Sequence, residues 1–300
     1  MLGQISPGKR SGKIAVLLIN CLLMFLMLTA TANEQRLHIM LTNDDGINAP
    51  GILAVEQALV KSGHRVTVVA PATQQSGASS AITGGKIGLK EIKPGHWAVE
   101  GRPVDAVRIG LGFVLAEDPP DLVISGANHG QNVGQDTIVS GTVGAALEAL
   151  RSGIPSIALS IAVNLGEARL NPPFKSTHEA MDNAANLLAR LIDDRRLIEI
   201  SDQTLVNINY PAKGDQQIAG ITIAELSDQA LTGGKYTRLD DTAVQASYQT
   251  IDSTRAARDA EMLEKGYVTI GFLRKNLAVS KGEFEHYKEM IRPVILNITD

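Results

Sequence analysis

The stretch LTNDDGINAPG, residues 41–51, predicts the fold of this chain. It overlaps the apolar run LHIMLT at 37–42, which is typical of a buried strand. After the NDDG turn, apolar residues recur at helical spacing over 52–59, and the β-branched run RVTVVA at 65–70 indicates a second strand. A strand, a helix and a strand within about 30 residues form a βαβ unit, in which the two strands pair in parallel.

The same alternation of strands and helices continues along the chain and predicts an α/β fold. We expect a doubly wound, mostly parallel sheet with helices on both faces, in a single domain at 33–300 whose core runs to about residue 210. A C-terminal β/helical extension follows at 211–300, and its polar, turn-rich stretch 227–260 is expected to leave the core. Further strands are predicted at 121–125, 156–161, 205–209, 221–226 and 267–272, and further helices at 143–150, 177–194 and 283–291.

Residues 1–32 have the three parts of a secretory signal peptide. Basic residues at 9–13 precede an apolar run at 14–28, and a small-x-small cleavage signal follows at 30–32. The apolar run is shorter than the roughly 20 residues that span a bilayer. We therefore expect cleavage after Ala32 and export to a bacterial periplasm; the alternatives are an uncleaved membrane anchor and a cytoplasmic protein.

Charge and cysteine content exclude several classes of function. The formal net charge is −4, and removing three basic and no acidic residues with the peptide makes it −7, so we expect no nucleic acid polymer as a partner. Cys21 is the only cysteine and leaves with the peptide, which excludes disulfides and thiolate chemistry. No apolar run after residue 32 is long enough for a membrane span, so we expect no membrane contact after cleavage.

Asp44 and Asp45 are adjacent at the predicted end of the first strand. Two neighbouring carboxylates need a compensating charge, or one of them must hold a proton. A divalent cation such as Mg²⁺ supplies that charge and prefers oxygen ligands, which Asn128 and Ser76 can add from other strand ends. The alternative is that one aspartate binds a cation while the other caps the turn.

The loop SGANHGQNVGQD, residues 125–136, follows another predicted strand and leads through Ser140, Gly141 and Thr142 into a helix. Free backbone N–H groups at a helix start bind phosphate. The glycine spacing matches neither a Walker loop nor G-x-G-x-x-G, so the loop does not indicate ATP or NAD binding. The alternative is that Ser140 or Thr142 only caps the helix, although capping and phosphate binding can coexist. A metal site beside a phosphate site suggests metal-assisted phosphate ester hydrolysis.

Together these motifs resemble the SurE family of survival-protein nucleotidases. The resemblance implies a Rossmann-like fold, one divalent metal ion (Mg²⁺ or Mn²⁺) per subunit, and hydrolysis of nucleoside 5′(3′)-monophosphates, often with short polyphosphate as a second substrate. It also implies a homodimer or homotetramer, in which 211–300 makes oligomer contacts. The matching stretches lie at 42–52, 68–83, 101–111, 121–149, 207–211 and 266–273.

The resemblance also assigns roles to individual residues. For the mechanism, our own expectation is that Asp44 or Asp45 orients or deprotonates the attacking water. The implied metal ligands are Asp44, Asp45, Ser76 and Asn128, and the implied phosphate contacts are Asn132, Ser140, Gly141 and Thr142. Two alternatives stay open: a broad acid phosphatase or exopolyphosphatase that uses the same site, and a non-hydrolytic phosphate or nucleotide binding protein.

The chain departs from the family pattern at several positions. Val139 stands where the family usually has tyrosine, and Gln75 where a basic residue is common. The segment DSTRAARDAEMLEK at 252–265 replaces a Gly/Pro-rich stretch, with Asp259 aligned to a family aspartate. These changes leave base preference, oligomer contacts and loop closure open, whereas the implied metal ligands are intact.

Two histidines receive predictions. His129 is a candidate acid for the leaving group because an unperturbed imidazole titrates near 6.5, but a hydrogen-bonding role in the loop is the preferred interpretation. His64 follows Gly63 in a predicted turn, so we expect it to be exposed to solvent.

Overall fold

The structure, a computed structural model, describes residues 36–193, 196–200, 204–213, 217–230, 232–250, 258–276, 278 and 280–299. In these residues the strands are β1 His38–Thr42, β2 Arg65–Pro71, β3 Leu89–Lys93, β4 His96–Val99, β5 Leu122–His129, β6 Ser156–Ile161, β7 Thr204–Tyr210, β8 Gly220–Ile223, β9 Thr232–Arg238, β10 Val244–Thr250 and β11 Tyr267–Arg274. The α-helices are α1 Pro50–Lys61, α2 Pro103–Ile109, α3 Gly141–Arg151, α4 Lys175–Asp193, α5 Arg196–Glu199, α6 Asp259–Glu264 and α7 Lys281–Thr299.

One nine-stranded sheet organises the described part of the chain, with the order β3-β4-β2-β1-β5-β6-β7-β11-β8. The strands from β4 to β7 pair in parallel, while β3 is antiparallel to β4 and β11 is antiparallel to β7. The predicted α/β fold with a mostly parallel sheet is therefore confirmed.

Helices cover both faces of the sheet, as predicted. Ile39 and Leu41 pack in one core cluster with α1 and α4, whereas Met40 packs in another with α2 and α3. Successive side chains of a strand point to opposite faces, so this division follows from the sequence order. All five residues of β1 are buried, which explains the continuous apolar run at this strand.

The centre of the sheet places two loops side by side. β1 lies between β2 and β5, so the chain leaves β1 toward one side of the sheet and later returns to its other side. In doubly wound sheets a ligand binds outside the carboxyl ends of the strands at such a switch point. Thr42, the last residue of β1, pairs with Ser125 of β5, and the NDDG turn therefore lies beside the Gly/Asn-rich loop.

The predicted strand boundaries after residue 210 are close to those observed, but one hairpin was missed. β8 and β11 occur near the predicted runs, and both join the main sheet. The stretch 227–260, expected to be turn-rich, contains the antiparallel pair β9 and β10. Its sequence TGGKYTR carries little apolar periodicity, because main-chain hydrogen bonds rather than side-chain burial define such a hairpin.

The prediction for His64 was wrong. His64 is buried. Its Nδ1 accepts a hydrogen bond of 3.3 Å from the N–H of Leu37, and its Nε2 lies 3.4 Å from a carboxylate oxygen of Asp193. A turn residue can therefore be covered by neighbouring elements that local sequence does not reveal.

The predicted signal peptide, residues 1–32, lies outside the described residues. Among the residues that the structure describes, none of the helices combines the length and the apolar character of a membrane span.

Candidate active site

The NDDG turn is closed by the asparagine that precedes the two aspartates. The side chain of Asn43 donates to the carbonyl oxygen of Gly46 at 2.9 Å and accepts from the N–H of Gly46 at 3.2 Å. Gly46 has a φ of +102°, a conformation that side chains other than glycine rarely adopt. Because Asn43 closes the turn, neither Asp44 nor Asp45 is needed as its cap, and both carboxylates remain for other contacts.

Asp44 is almost completely buried, with 3% of its surface exposed. The hydroxyl of Thr142 donates to Oδ1 of Asp44 at 2.6 Å, which joins the NDDG turn to the start of α3. Burial raises the pKa of the Asp44 carboxyl group to about 6, and the neighbouring Asp45 carboxylate adds to the rise, while the Thr142 hydroxyl opposes it. The protein therefore does not fully compensate the negative charge of the ionised Asp44 carboxylate.

Asp45 is half-buried and faces the Gly/Asn-rich loop. Its Oδ2 accepts a hydrogen bond of 2.8 Å from the main-chain N–H of His129. Burial raises the pKa of the Asp45 carboxyl group, and the N–H and the imidazole of His129 act in the opposite direction. Burial also lowers the pKa of the His129 imidazole.

The other two predicted metal ligands come from the neighbouring loops. Asn128 donates from Nδ2 to the carbonyl oxygen of Gly130 at 2.7 Å, which leaves its amide oxygen as the group suited to a cation. Ser76 is exposed, and its hydroxyl accepts from the side chain of Gln74 at 2.9 Å. The N–H of Gln75 donates to the carbonyl oxygen of Asp44 at 2.6 Å, so the loop that carries Ser76 is joined to the NDDG turn.

These residues fit a divalent cation by their chemistry. Two adjacent carboxylates have raised pKa values, and among the described residues no lysine or arginine offsets either of them. The described residues hold no group of three or more His, Cys, Asp or Glu side chains suited to a metal. A cation here would thus depend on two carboxylates, the oxygens of Asn128 and Ser76, and water, which is the oxygen-rich mixture that Mg²⁺ accepts.

The start of α3 lies directly against Asp44. The Ser140 hydroxyl caps this helix by accepting from the N–H of Val143 at 3.1 Å, so the capping alternative holds at this residue. A Cβ atom on Gly141 would lie 2.8 Å from both Cβ and Oδ2 of Asp44. Glycine is therefore required for the helix start to approach the carboxylate. Thr142 is fully buried and also faces Asp44, through its hydroxyl.

Asn132, within the Gly/Asn-rich loop, is buried and is held by a set of amide hydrogen bonds. Its N–H donates to the side chain of Asn209 at 2.7 Å, and its carbonyl oxygen accepts from the side chains of Asn207 at 2.9 Å and Asn209 at 3.0 Å. Its own Nδ2 donates to the hydroxyl of Ser160 at 2.8 Å. We call Asn132, Ser160, Asn207 and Asn209 the amide clamp.

Asp259 of α6 holds the next part of the same loop. It accepts hydrogen bonds from the N–H groups of Gly134 at 3.0 Å and Ser227 at 2.7 Å. Burial raises the pKa of the Asp259 carboxyl group, while these N–H groups lower it. The side chain of Asp259, the aspartate that the resemblance aligned, thus contacts the backbone of the loop.

The stretch 207–211, NINYP, is among those that resemble the family, but no role was predicted for Asn207 and Asn209. Their spacing of two residues in a strand that is otherwise apolar was the available signal, since residues i and i+2 of a strand share one face. Two buried polar side chains on the same face require partners, and the amide clamp supplies partners for both residues.

Comparison with known proteins adds an independent result. A family model described as survival protein SurE matches residues 39–232. A protein named 5′-nucleotidase SurE from Nitrobacter winogradskyi is 39% identical over 196 residues, which cover 65% of this chain and 74% of that protein. A protein of the same name from Lawsonia intracellularis is 36% identical over 249 residues, covering 80% of this chain and 94% of its own length.

A solved structure agrees with these sequence relatives. The crystal structure of the SurE protein from Aquifex aeolicus is 27% identical and superimposes with a TM-score of 0.67, covering 88% of this chain and 100% of that chain. The family model alone spans more than half of the sequence, and its matched range contains every site residue that the sequence predicted. The chain belongs to the survival protein SurE family.

Proposed function

We propose that this protein is a metal-dependent phosphomonoesterase that hydrolyses nucleoside 5′(3′)-monophosphates to a nucleoside and phosphate. The observation that carries the proposal is the contact between the buried carboxylate of Asp44 and the start of α3, where Gly141 and Thr142 meet it. A site for a divalent cation and a site for a phosphate group are thereby adjacent.

Two bacterial relatives, each named 5′-nucleotidase SurE, support phosphoric monoester hydrolysis as the activity of this chain. The metal ion, Mg²⁺ or Mn²⁺, is our inference from the residues, and the choice of nucleotide follows from the resemblance to the family. We also propose that the mature protein is exported and forms a homodimer or homotetramer. Exposed apolar side chains on β8 and α7, including Ile223, Phe284 and Met290, support the assembly. Light scattering on the purified protein measures the oligomeric state, and a monomer at micromolar concentration would contradict the proposed assembly.

Each part of the site has a task in this reaction. A bound divalent cation would lower the pKa of a water ligand and offset negative charge on the phosphoryl group. Asp44 and Asp45 would hold the cation, and one of them orients the attacking water or accepts its proton. The backbone N–H groups at the start of α3 and the side chain of Asn132 stabilise the charge on the remaining phosphoryl oxygens.

The His129 N–H fixes the carboxylate of Asp45, since it donates to Oδ2 at 2.8 Å. Its main-chain group therefore has a positioning task that does not depend on the protonation of the imidazole. The hydrogen-bonding interpretation therefore applies to the main chain of His129, and the role of a leaving-group acid stays the alternative for its imidazole.

The test is phosphate release from 5′-AMP, 3′-AMP, short polyphosphate and p-nitrophenyl phosphate, with EDTA and with added Mg²⁺ or Mn²⁺. We expect release from the nucleotides only with metal, and its loss in Asp44→Asn and Asp45→Asn. Activity that survives both substitutions would overturn the metal-dependent mechanism. Release from polyphosphate or the aryl phosphate alone would favour the broad phosphatase, and nucleotide binding without release would favour a binding protein.

A further inference from the structure

A cavity of about 360 Å³ opens beside Asp45 on the side of the sheet that α1 and α4 cover. Its size lies within the range of about 300–1,000 Å³ that is usual for small-molecule sites. Asp45 and His129 form one wall, and α4 with the residue before it forms the other. The lining residues are Asp45, Ala49, Pro50, Gly51, His129, Phe174, His178 and Met181.

Three rings line this cavity, and the ring of His129 contacts both of the others. The ring of His129 meets that of Phe174 edge to face, with centroids 5.2 Å apart and an interplanar angle of 76°. The rings of His129 and His178 lie 5.4 Å apart at 34°. Phe174 is half-buried and His178 is exposed, so ring surface remains available to a ligand. Aromatic side chains of this kind stack with planar aromatic groups.

The wall that contains Phe174 is held in place by main-chain contacts. The carbonyl oxygen of Phe174 accepts from the N–H of His178 at 3.1 Å, and the Phe174 N–H donates to the carbonyl oxygen of Glu167 at 3.3 Å. The hydroxyl of Thr177 donates to the carbonyl oxygen of Ala162 at 2.9 Å, which ties the start of α4 to the end of β6. The ring of Phe174 is thus positioned before a ligand arrives.

We propose that this cavity binds the nucleobase of the substrate while the phosphate group lies at Asp44 and the start of α3. The inference rests on the proposed function, because it identifies the part of the substrate that the same site recognises. Asp45 belongs both to the cavity and to the carboxylate pair, so the cavity begins at the carboxylates. Phe174 and His178 determine the preference for nucleotides over phosphate esters that lack a base.

A second cavity, of about 620 Å³, also borders the Gly/Asn-rich loop and is the alternative place for the base. Gly130 and Gln131 of that loop line this second cavity, together with Leu165 and Lys213. None of its described lining residues is aromatic, so it offers a base no ring to stack on. The rings therefore favour the cavity beside Asp45.

The deciding experiment compares 5′-AMP with ribose 5-phosphate, which has the same phosphate ester but no base. Stacking of an aromatic pair is worth up to about 1.5 kcal/mol, so Phe174→Leu should raise KM for AMP roughly tenfold. KM for ribose 5-phosphate and kcat for both substrates should stay within about twofold. Phe174→Tyr should keep the AMP value, since it retains the ring. Leu165→Ala, in the second cavity, is the matched control and should change neither substrate.

Binding of adenosine, measured by calorimetry, tests the cavity without turnover. The wild type should bind adenosine, and both Phe174→Leu and His178→Ala should weaken the binding severalfold.

An equal rise of KM for both substrates in Phe174→Leu would show a structural role and overturn the inference. A selective effect of Leu165→Ala would place the base in the second cavity. A wild type that releases no phosphate from any nucleotide would refute the proposed function, whereas adenosine binding that ignores both ring substitutions would refute the base site alone.

Discussion

Gly141 lies so close to Asp44 that a single methyl group has no room between them. The Cβ atom of an alanine at 141 would meet Cβ and Oδ2 of Asp44 at 2.8 Å, although alanine suits a helix better than glycine does. The helix start is therefore shaped by the carboxylate it approaches, and the geometry of the proposed metal site depends on a residue without a side chain.

Gly141→Ala should displace the Asp44 carboxylate while the helix forms normally. We expect phosphate release to fall by at least roughly tenfold, since misplacing a positioned group by about 1 Å can cost more than that. Half-saturating Mg²⁺ should rise in the same variant. Gly282→Ala, also at a helix start but with open space around its Cβ, should leave both values unchanged. Equal effects of the two substitutions would refute this reading of the contact.

Asp44 gives the metal-free protein a pH-dependent stability. Because its pKa rises from 3.8 to about 6 on folding, the folded state binds a proton more tightly than the unfolded state does. The stabilisation is full below the unfolded pKa and is lost as pH rises through about 6. At about 1.4 kcal/mol per pKa unit the loss is on the order of 3 kcal/mol.

Asp44→Asn removes this loss, because asparagine carries no charge but can still accept from Thr142. In EDTA at pH 7.5 the variant should resist urea better than the wild type, by up to about 3 kcal/mol in the free energy of unfolding. The difference should shrink at pH 5. A difference that does not vary with pH would mean that the ionisation of Asp44 does not set it.

At the scale of the elements, β7 holds the Gly/Asn-rich loop through the amide clamp. Asn209 both accepts from the N–H of Asn132 and donates to its carbonyl oxygen, so one side chain holds both main-chain polar groups of this loop residue. Its position was visible in the sequence, but its partner was not, since the two residues are 77 positions apart.

Asn209→Ala should leave two buried main-chain groups of Asn132 without this partner. We expect a loss of about 1–3 kcal/mol in the free energy of unfolding and a fall in kcat, because the loop then moves relative to the carboxylates. Asn186→Ala is the matched control: its side chain also donates to a carbonyl oxygen, that of Asp182, but on the exposed face of α4. Denaturant unfolding and steady-state kinetics measure both effects, and unchanged kinetics in Asn209→Ala would contradict the positioning role.

Helices and buried strands were easier to predict than exposed pairs of strands. β1, β2, β5 and β6 are apolar runs whose burial leaves a pattern in the sequence. β3 has mostly exposed residues, and its sequence LKEIK was not identified as a strand. Pairing at the edge of a sheet relies on main-chain hydrogen bonds, which leave little trace in side-chain periodicity.

At the scale of the whole molecule, export is a prediction that rests on residues 1–32. The mature protein should begin at Asn33, after cleavage of the small-x-small signal. Mass spectrometry of the protein isolated from its native host measures this terminus directly. A soluble protein that retains Met1 would contradict export and support the cytoplasmic alternative.

The sequence by itself determined the α/β class, and it placed the NDDG turn and the loop before α3 at the ends of strands. These features are local, because strand and helix periodicity and turn chemistry act over a few neighbouring residues. Only the tertiary structure decided the contacts between Asp44 and Thr142, which are 98 positions apart, and the ring-lined cavity beside Asp45. Strand order brings such groups together, and it depends on the burial of both sheet faces at once rather than on any single stretch of sequence.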